Sequence, residues 1–329
     1  MATGRRWACV MDLLLVVVGV VLLAAGGEGM VRGSVAVAKR WNVSPLLVGL
    51  VIVGFGTSSP ELVVSVDAAL NQRPDIAIGN IVGSNIGNVL LILGICALVS
   101  PLAVKPLALR RDAVAVVAAS VSFVVLVAGD AIARSDALVF LAAFGAYLVW
   151  AYWSERREDA PDAEVRRAEA SELTHLPPSG RWAAFAIVVG LVSLVGGSRV
   201  LLIGAIGMAE RFGVSDAAIG LTLVAVGTSL PELSVSLIAA FRRHADVAIG
   251  NVLGSNIFNL LGILGISALL QPLPVHARIV QFDQWVMLGA ALVLFLFLLT
   301  GRRLSRFEGG ALLVGYGVYV GLGLTVFGG

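Results

Sequence analysis

The sequence predicts an all-α polytopic membrane protein whose ten transmembrane helices form two inverted-topology five-helix repeats. Three observations lead there. Hydrophobic residues make up 58% of the 329 and charged residues only 13%, outside the range of a soluble domain. The apolar residues come in runs near or above the ~20 residues that a bilayer core requires. Two blocks also recur at one offset of 171 residues. Residues 56–65 (GTSSPELVVS) match 227–236 (GTSLPELSVS) at eight of ten positions, and 77–88 (AIGNIVGSNIGN) match 248–259 (AIGNVLGSNIFN) at nine of twelve. One offset shared by separated blocks means internal duplication.

The chain opens with Arg5 and Arg6 before a long apolar run and Ala24-Ala25-Gly26 after it, the outline of a secretory signal. A matching run at 182–204, at the same offset, makes it a first helix instead. Spans follow at about 11–31, 44–70, 75–100, 112–129 and 135–153, then at about 182–208, 214–240, 246–271, 280–300 and 307–328. The predicted organisation is therefore a first five-helix repeat at 1–153, a linker at 154–181 and a second repeat at 182–329. Five is odd, so the second repeat enters the membrane upside down and the copies are related by an axis in the membrane plane.

Basic residues set the orientation, because cytoplasmic loops collect Lys and Arg. With both termini outside, the inner loops hold sixteen, including Arg32, Lys39, Arg110, Arg111, Arg242 and Arg302, and the outer segments hold six. The expected placement is the plasma (inner) membrane, multi-pass, with a cytoplasmic linker. That linker mixes charges with Pro161, Pro177 and Pro178, which suits a flexible tether too short for a regulatory calcium-sensing domain. Cys9 and Cys96 lack any metal-ligand spacing, and His175, His244 and His276 fall in polar loops. Disulfide, zinc and Ser-His chemistry thus have no raw material.

The chemistry sits in the repeated blocks. Glu61 is an acid inside an apolar span, with Thr57 and Ser58 four and three residues before it and Ser65 four after, which on an unbroken helix share its face. Pro60 removes one backbone donor and crowds the preceding turn, freeing carbonyl oxygens near Gly54 and Gly56. Broken backbone at membrane depth is tolerated only where it is buried in protein or faces water. A plain proline kink with a satisfied acid is the bland explanation, and its recurrence at Glu232 argues against it. In the second block Ser84 and Asn88 sit four apart, as do Ser255 and Asn259. Glycines at 79, 83 and 87 read as helix-packing positions. Asn85 and Asn256 read as partners for neighbouring helices. Two carboxylates, two amide carbonyls and several hydroxyls are hard oxygen donors, suited to calcium, which takes six to eight oxygens at about 2.3–2.6 Å, or to sodium. Without a cation, two such acids call for protons as the counter-charge. Arg199 is the one base inside a helix, and its repeat partner is Glu28; inversion gives no reason to pair them.

On these paired motifs the chain resembles the cation/calcium exchanger superfamily, specifically its prokaryotic sodium/calcium antiporters, across both halves. The resemblance implies ion binding at the midplane by the second, third, seventh and eighth helices. It implicates Thr57, Ser58, Glu61, Ser84 and Asn88 from the first repeat and Thr228, Ser229, Glu232, Ser255 and Asn259 from the second. Backbone oxygens of Gly54 and Ala225 are implied as extra sodium ligands, and the first and sixth helices as a sliding gate. Some relatives carry aspartate where Asn259 stands here. Asp67, with Ile238 as its repeat partner, is an extra acid that reads as exposed or lining the access path.

The expected function is exchange of Ca2+ for Na+ by alternating access, with no enzyme activity, no cofactor, no nucleic-acid partner and a monomer sufficient for transport. A proton-coupled cation antiporter is the nearest alternative. A Ca2+-permeable channel is a third reading, which the duplicated broken helices disfavour. An intramembrane enzyme would need a buried histidine or paired aspartates, and the sequence offers neither.

Overall fold

Prolines and two left-handed turns mark where the helices start and stop. The computed structural model describes residues 2–41, 43–104, 106, 108–127, 131–157, 180–211 and 225–326. Helix α1 (Ala2–Trp41) is followed by a bent pair, α2a (Pro45–Thr57) and α2b (Ser59–Leu70), then α3 (Pro74–Val99), α4 (108–127) and α5 (Arg134–Arg157). The second half repeats the order with α6 (Gly180–Arg211), α7a (Ala225–Thr228) and α7b (Leu230–Phe241), α8 (Ala245–Leu270), α9 (Ile279–Gly301) and α10 (Arg306–Val326). Pro45 and Pro74 stand in first turns, where a missing N–H costs nothing, and Ser44 caps the former by accepting from Leu47 N–H at 3.1 Å. Gln72 (φ 56°) and Arg243 (φ 59°) hold the left-handed position of the same turn, one in each half.

Among the described residues six helices are long and apolar enough to cross a membrane, and seven if α2a and α2b count as one span bent by 44°. The sequence predicts ten spans. Of these, α4 begins with an irregular turn, α7 is described only from residue 225, and residues 212–224 and 158–179 of the predicted seventh span and linker lie outside the described residues. Helices α3 and α8 are 72% and 83% buried over their apolar windows, whereas α1 and α6 are 28% and 22% buried, so α3 and α8 form the centre and α1 and α6 the periphery.

Two short antiparallel pairings fix the direction of the halves. Strand β1 (Leu102–Ala103), after α3, pairs with β4 (Arg303–Leu304), while β2 (Ala131–Ile132) pairs with β3 (Leu273–Pro274), after α8. Helix α4 separates β1 from β2 by twenty helical residues, about 30 Å at 1.5 Å per residue. The two pairings therefore lie at opposite ends of the bundle, and α3 and α8 end at opposite faces.

Glycines make the closest contacts. Helices α1 and α6 lie along one another, with Gly26 on Gly190, Gly33 on Ala183 and Ile187, and Gly204 on the backbone of Asp12. Arg211 closes one end of this pair on Asp12 at 2.5 Å. The first helix thus lies along α6 from Asp12 to Gly33. In α8, a Cβ added at Gly254 would fall 2.2 Å from the Leu50 carbonyl oxygen and one at Gly250 would fall 2.6 Å from that of Leu46. The expectation for the equivalent glycines of α3 needs correcting. Among the described residues a Cβ at Gly79, Gly83 or Gly87 meets nothing within 4 Å, and these positions border a cavity.

Arg111 also departs from its reading as a loop charge. It is buried, with Nε 2.6 Å and Nη2 3.1 Å from the Asp112 carboxylate, Nη1 3.1 Å from the Ala151 carbonyl, and Tyr147 Oη donating to Asp112 at 2.9 Å. The second half holds a looser counterpart, in which Asp283 accepts from Arg278 Nε and Tyr319 Oη, each at 3.1 Å.

Matched substitutions test the packing difference. Gly254→Ala should cost about 1–3 kcal/mol through overpacking against Leu50, while Gly83→Ala should change stability by less than about 0.5 kcal/mol. Thermal unfolding of the two purified variants in one detergent checks the difference; equal losses would contradict the packing described.

Candidate cation site

The site forms where the two bent helices cross α3 and α8. The break in each is a single residue: Ser58 (φ −79°, ψ 9°) between α2a and α2b, and Ser229 (φ −87°, ψ 7°) between α7a and α7b. The proline two residues later falls in the first turn of the new helix, so it starts that helix rather than interrupting it. This corrects the one-face reading of Thr57, Ser58, Glu61 and Ser65, which lie on two helices at an angle. The serines point across the molecule. Ser58 Oγ donates to Glu232 Oε1 at 2.9 Å, and Ser229 Oγ donates to Glu61 Oε1 at 3.3 Å while lying 3.5 Å from Ser84 Oγ. Each acid is therefore held by the opposite repeat. Both glutamates are 1% exposed.

A second mirrored pair locks the helix that carries each acid. Asn80 Nδ2 donates to the Glu61 backbone carbonyl at 3.3 Å and to Ser65 Oγ at 2.9 Å; Asn251 Nδ2 donates to that of Glu232 at 3.2 Å and to Ser236 Oγ at 2.8 Å. Ser65 thus braces the scaffold instead of facing a ligand. The sequence marks Asn80, with Asn85 and Asn88, only as amides crowding one apolar helix and gives neither it nor Asn251 a role, although the shared offset and their place in both GN dipeptides are the available signal.

The remaining donors are placed unequally. Thr57 Oγ1 shares its proton between Asn251 Oδ1 at 3.1 Å and Gly54 O at 3.3 Å, and Ser255 Oγ donates to Gly54 O at 3.1 Å. With the Ser58 N–H also on it at 3.1 Å, the Gly54 carbonyl is occupied by protein donors, contrary to the expectation of a freed oxygen. In the other half, Thr228 Oγ1 is buried without a hydrogen-bond partner, and Ser84 faces Ser229 rather than the backbone of Ala225. Asn88 Nδ2 donates to Asn256 Oδ1 at 3.0 Å, which explains Asn256, whereas Asn85 bonds its own helix at Ile81 O, at 2.8 Å. Asn88 and Asn259 each sit in a wide turn, Asn88–Ile92 and Phe258–Ile263, of the kind that collects at functional positions.

What is left over is mostly oxygen, with Asn259 Nδ2 and Asn85 Oδ1 also unpartnered. Glu61 Oε2, Glu232 Oε2, Asn88 Oδ1, Asn259 Oδ1 and Thr228 Oγ1 have no hydrogen-bond partner. Buried acceptors without donors cost about 1–3 kcal/mol each, more when charged, so this donor set fits a hard cation as its missing partner. Among the described residues no three His, Cys, Asp or Glu side chains converge, so a cation would find two carboxylates and neutral oxygens.

Among the described residues, access opens on one side. A cavity of about 580 Å³ runs from Ser84, Thr228 and Ser229 past Gly79 and Gly83 to the exposed residues Asp75 and His276. On the other side α8 lies against α2a through Gly250 and Gly254, and Phe55, Phe144 and Phe258 form a stack with centroids 4.7–5.6 Å apart. Asp67 is exposed, accepts only from Asn71 of its own helix end at 3.1 Å, and takes no part in the site.

Comparison with known proteins agrees with this architecture. A family model described as sodium/calcium exchanger protein matches residues 11–153 and 182–324. CaxA of Alkalimonas amylolytica is 38% identical over 92% of this chain and 95% of its own. The sodium/calcium exchanger MaX1 of Methanosarcina acetivorans is 32% identical over 93% of this chain and 96% of its own. The solved structure of the sodium-calcium exchanger NCX_Mj soaked with Na+ and Ca2+ superposes with a TM-score of 0.80 at 30% identity, covering 94% of this chain and 97% of that one. Two repeated motifs, a shared fold and near full-length similarity give one conclusion: this multi-pass membrane chain belongs to the sodium/calcium exchanger protein family.

Proposed function

We propose that this chain is a secondary antiporter that exchanges Ca2+ for Na+ across the plasma membrane by alternating access. Cation/Ca2+ exchange follows from the family; sodium as counter-ion and the two-glutamate site are the reading advanced here. The observation that carries it is the pair of buried glutamates, each bonded by the other repeat's serine, whose remaining oxygens meet a cavity from one face only.

In this reading ten transmembrane helices form two inverted five-helix repeats, supported by the opposite ends at which α3 and α8 finish. Glu61, Glu232, Asn88, Asn259 and Thr228 supply ligand oxygens, and the serines orient the carboxylates. Ca2+ and several Na+ compete for one donor set, and an occupied site neutralises two acids that would otherwise cost several kcal/mol each to keep buried and charged. Only the neutralised site passes through the closed intermediate, which couples the two fluxes. No covalent step and no resident cofactor are needed. The loop charges put both termini outside and the linker in the cytoplasm, so the cavity faces outward. A channel would need a path through the Phe55, Phe144 and Phe258 side as well.

Glu61→Gln and Glu232→Gln should each weaken Ca2+ binding about 10- to 100-fold, the weight of a charged hydrogen-bonding partner, and should abolish Ca2+ uptake into proteoliposomes. Wild-type-like unfolding temperatures would show that folding survives. Wild-type-like uptake by both variants would end the ligand assignment. The counter-ion is settled in everted vesicles: uptake of Ca2+ should follow an imposed Na+ gradient at fixed pH. Uptake driven by a pH gradient without Na+ would make the protein a proton-coupled antiporter instead.

A further inference from the structure

Two charges in the membrane helices have no place in the site. Arg199 of α6 is exposed and makes no hydrogen bond or ion pair among the described residues, and Asp67 of α2b is exposed with Asn71 as its side-chain partner. Arg199 lies mid-helix, where ionisable groups at membrane depth are expensive unless paired or wet, and Asp67 lies in the last turn of α2b beside the exposed turn Asn71–Arg73. Their repeat counterparts are Glu28 and Ile238, and these are engaged. Glu28 accepts from Arg242 Nη2 at 2.6 Å and Nε at 3.1 Å, and from Arg32 Nε at 2.6 Å. Ile238 lies on Gly27, the residue before Glu28.

The halves are thus packed differently by equivalent parts. Helix α1 lies along α7b of the other repeat, with Gly27 on Ile238 and Ser234 and Glu28 on Arg242. Helix α6 has no comparable contact with α2b; instead Ser198 Oγ donates to Gly227 O at 2.6 Å within its own repeat. The face of α2b that α6 would cover is bare, with Val63, the counterpart of Ser234, 60% exposed. Since α1 and α6 bury their glycines in each other and are bolted by Asp12 and Arg211, they move as one body. Exchanging the packing of the two halves opens the opposite face, because the halves are inverted. It also sets α6 on α2b, with Ser198 against Asp67 as Gly27 now lies on Ile238, and Arg199 beside Asn71, the counterpart of Arg242. The Asn71 amide donates to Asp67 at 3.1 Å one turn away and leaves that carboxylate within reach of the guanidinium.

We infer that Asp67 and Arg199 are positioning residues of the transport cycle, forming in the opposite-facing state an ion pair that replaces Glu28–Arg242. In the present state Glu28–Arg242 joins the halves at the end away from the cavity mouth; in the other, Asp67–Arg199 joins them beside it, with the Ser198 hydroxyl as a second donor to Asp67. Polarity reverses between the two pairs. This inference rests on the alternating-access reading, not on which ions are exchanged.

The test uses the full-length chain with Cys9→Ser and Cys96→Ala, a protease site in the linker, and Asp67→Cys with Arg199→Cys. After oxidation the halves should stay joined on a non-reducing gel following cleavage, and ion exchange should fall at least about tenfold and return with reductant. A Glu28→Cys/Arg242→Cys pair on the same background reports the present state. Protein in which no 67–199 cross-link forms, while the 28–242 pair does cross-link, overturns the inference whatever the exchange activity; a cross-linked protein whose background never exchanged would instead count against the antiporter reading. Without cysteines, Asp67→Asn and Arg199→Gln should each slow exchange about fivefold, the population shift of an ion pair of ordinary strength. The double variant should be no slower than either, and Asp67→Arg with Arg199→Asp should restore the rate. Additive losses with no rescue would leave two unrelated structural effects and refute the pairing.

Discussion

Two crossed hydrogen bonds organise this protein. Ser58 reaches from the first repeat to Glu232 and Ser229 reaches from the second to Glu61, so neither half holds its own acid in place. The arrangement depends on one residue per helix leaving helical geometry, which swings the serine off the face that carries its neighbouring glutamate. Asn80 and Asn251 then tie the new helix to the central one through the glutamates' own carbonyls. A carboxylate fixed by one hydroxyl keeps its second oxygen free, and in the proposed site that free oxygen is what a cation would find. The scaffold's stability and the site's chemistry are thus carried by the same few polar groups.

The duplicated sequence is read out in two conformations. Gly250 and Gly254 admit the backbone of α2a to within contact, while Gly79 and Gly83 border open space. Thr57 is satisfied by Asn251, while Thr228 is left without a donor or acceptor. In the proposed cycle such a difference would be one of state, and a small-residue surface that both tolerates close approach and survives separation is what that change requires. The most buried helices, α3 and α8, form the frame, and the thinly packed α1 and α6 are the part with least to lose by moving.

Much of this was legible beforehand because duplication singles out positions that hydropathy alone would hide. The paired GTS and GSN motifs named the polar residues that meet in the centre. What failed did so for a common reason: local spacing was taken to act through an unbroken helix. Thr57 and Glu61 were placed on one face because the break at Ser58 is invisible in a sequence where proline two residues later is the louder signal. The glycines of α3 were assigned to packing because an identical motif cannot say which copy is in contact. Arg111 was counted with loop charges, although the adjacent Asp112 lets it stay inside. Gly54 was expected to have a free oxygen, and its donors come from residues as distant in sequence as Ser255.

Three substitutions between the copies limit how far they can trade places. Phe258, Phe55 and Phe144 stack behind the site, and their counterparts Gly87, Val226 and Gly315 have no ring to offer. The chain cannot rebuild that stack at the opposite end, so its two outward and inward postures are chemically unequal. For a passive carrier this inequality leaves the final balance untouched, because the resting distribution of ions belongs to their gradients and not to the machine. In the proposed cycle it would change the tempo instead: each side of the membrane would acquire its own half-saturating concentration and its own waiting time, set by aromatic rings that one copy carries and the other lacks.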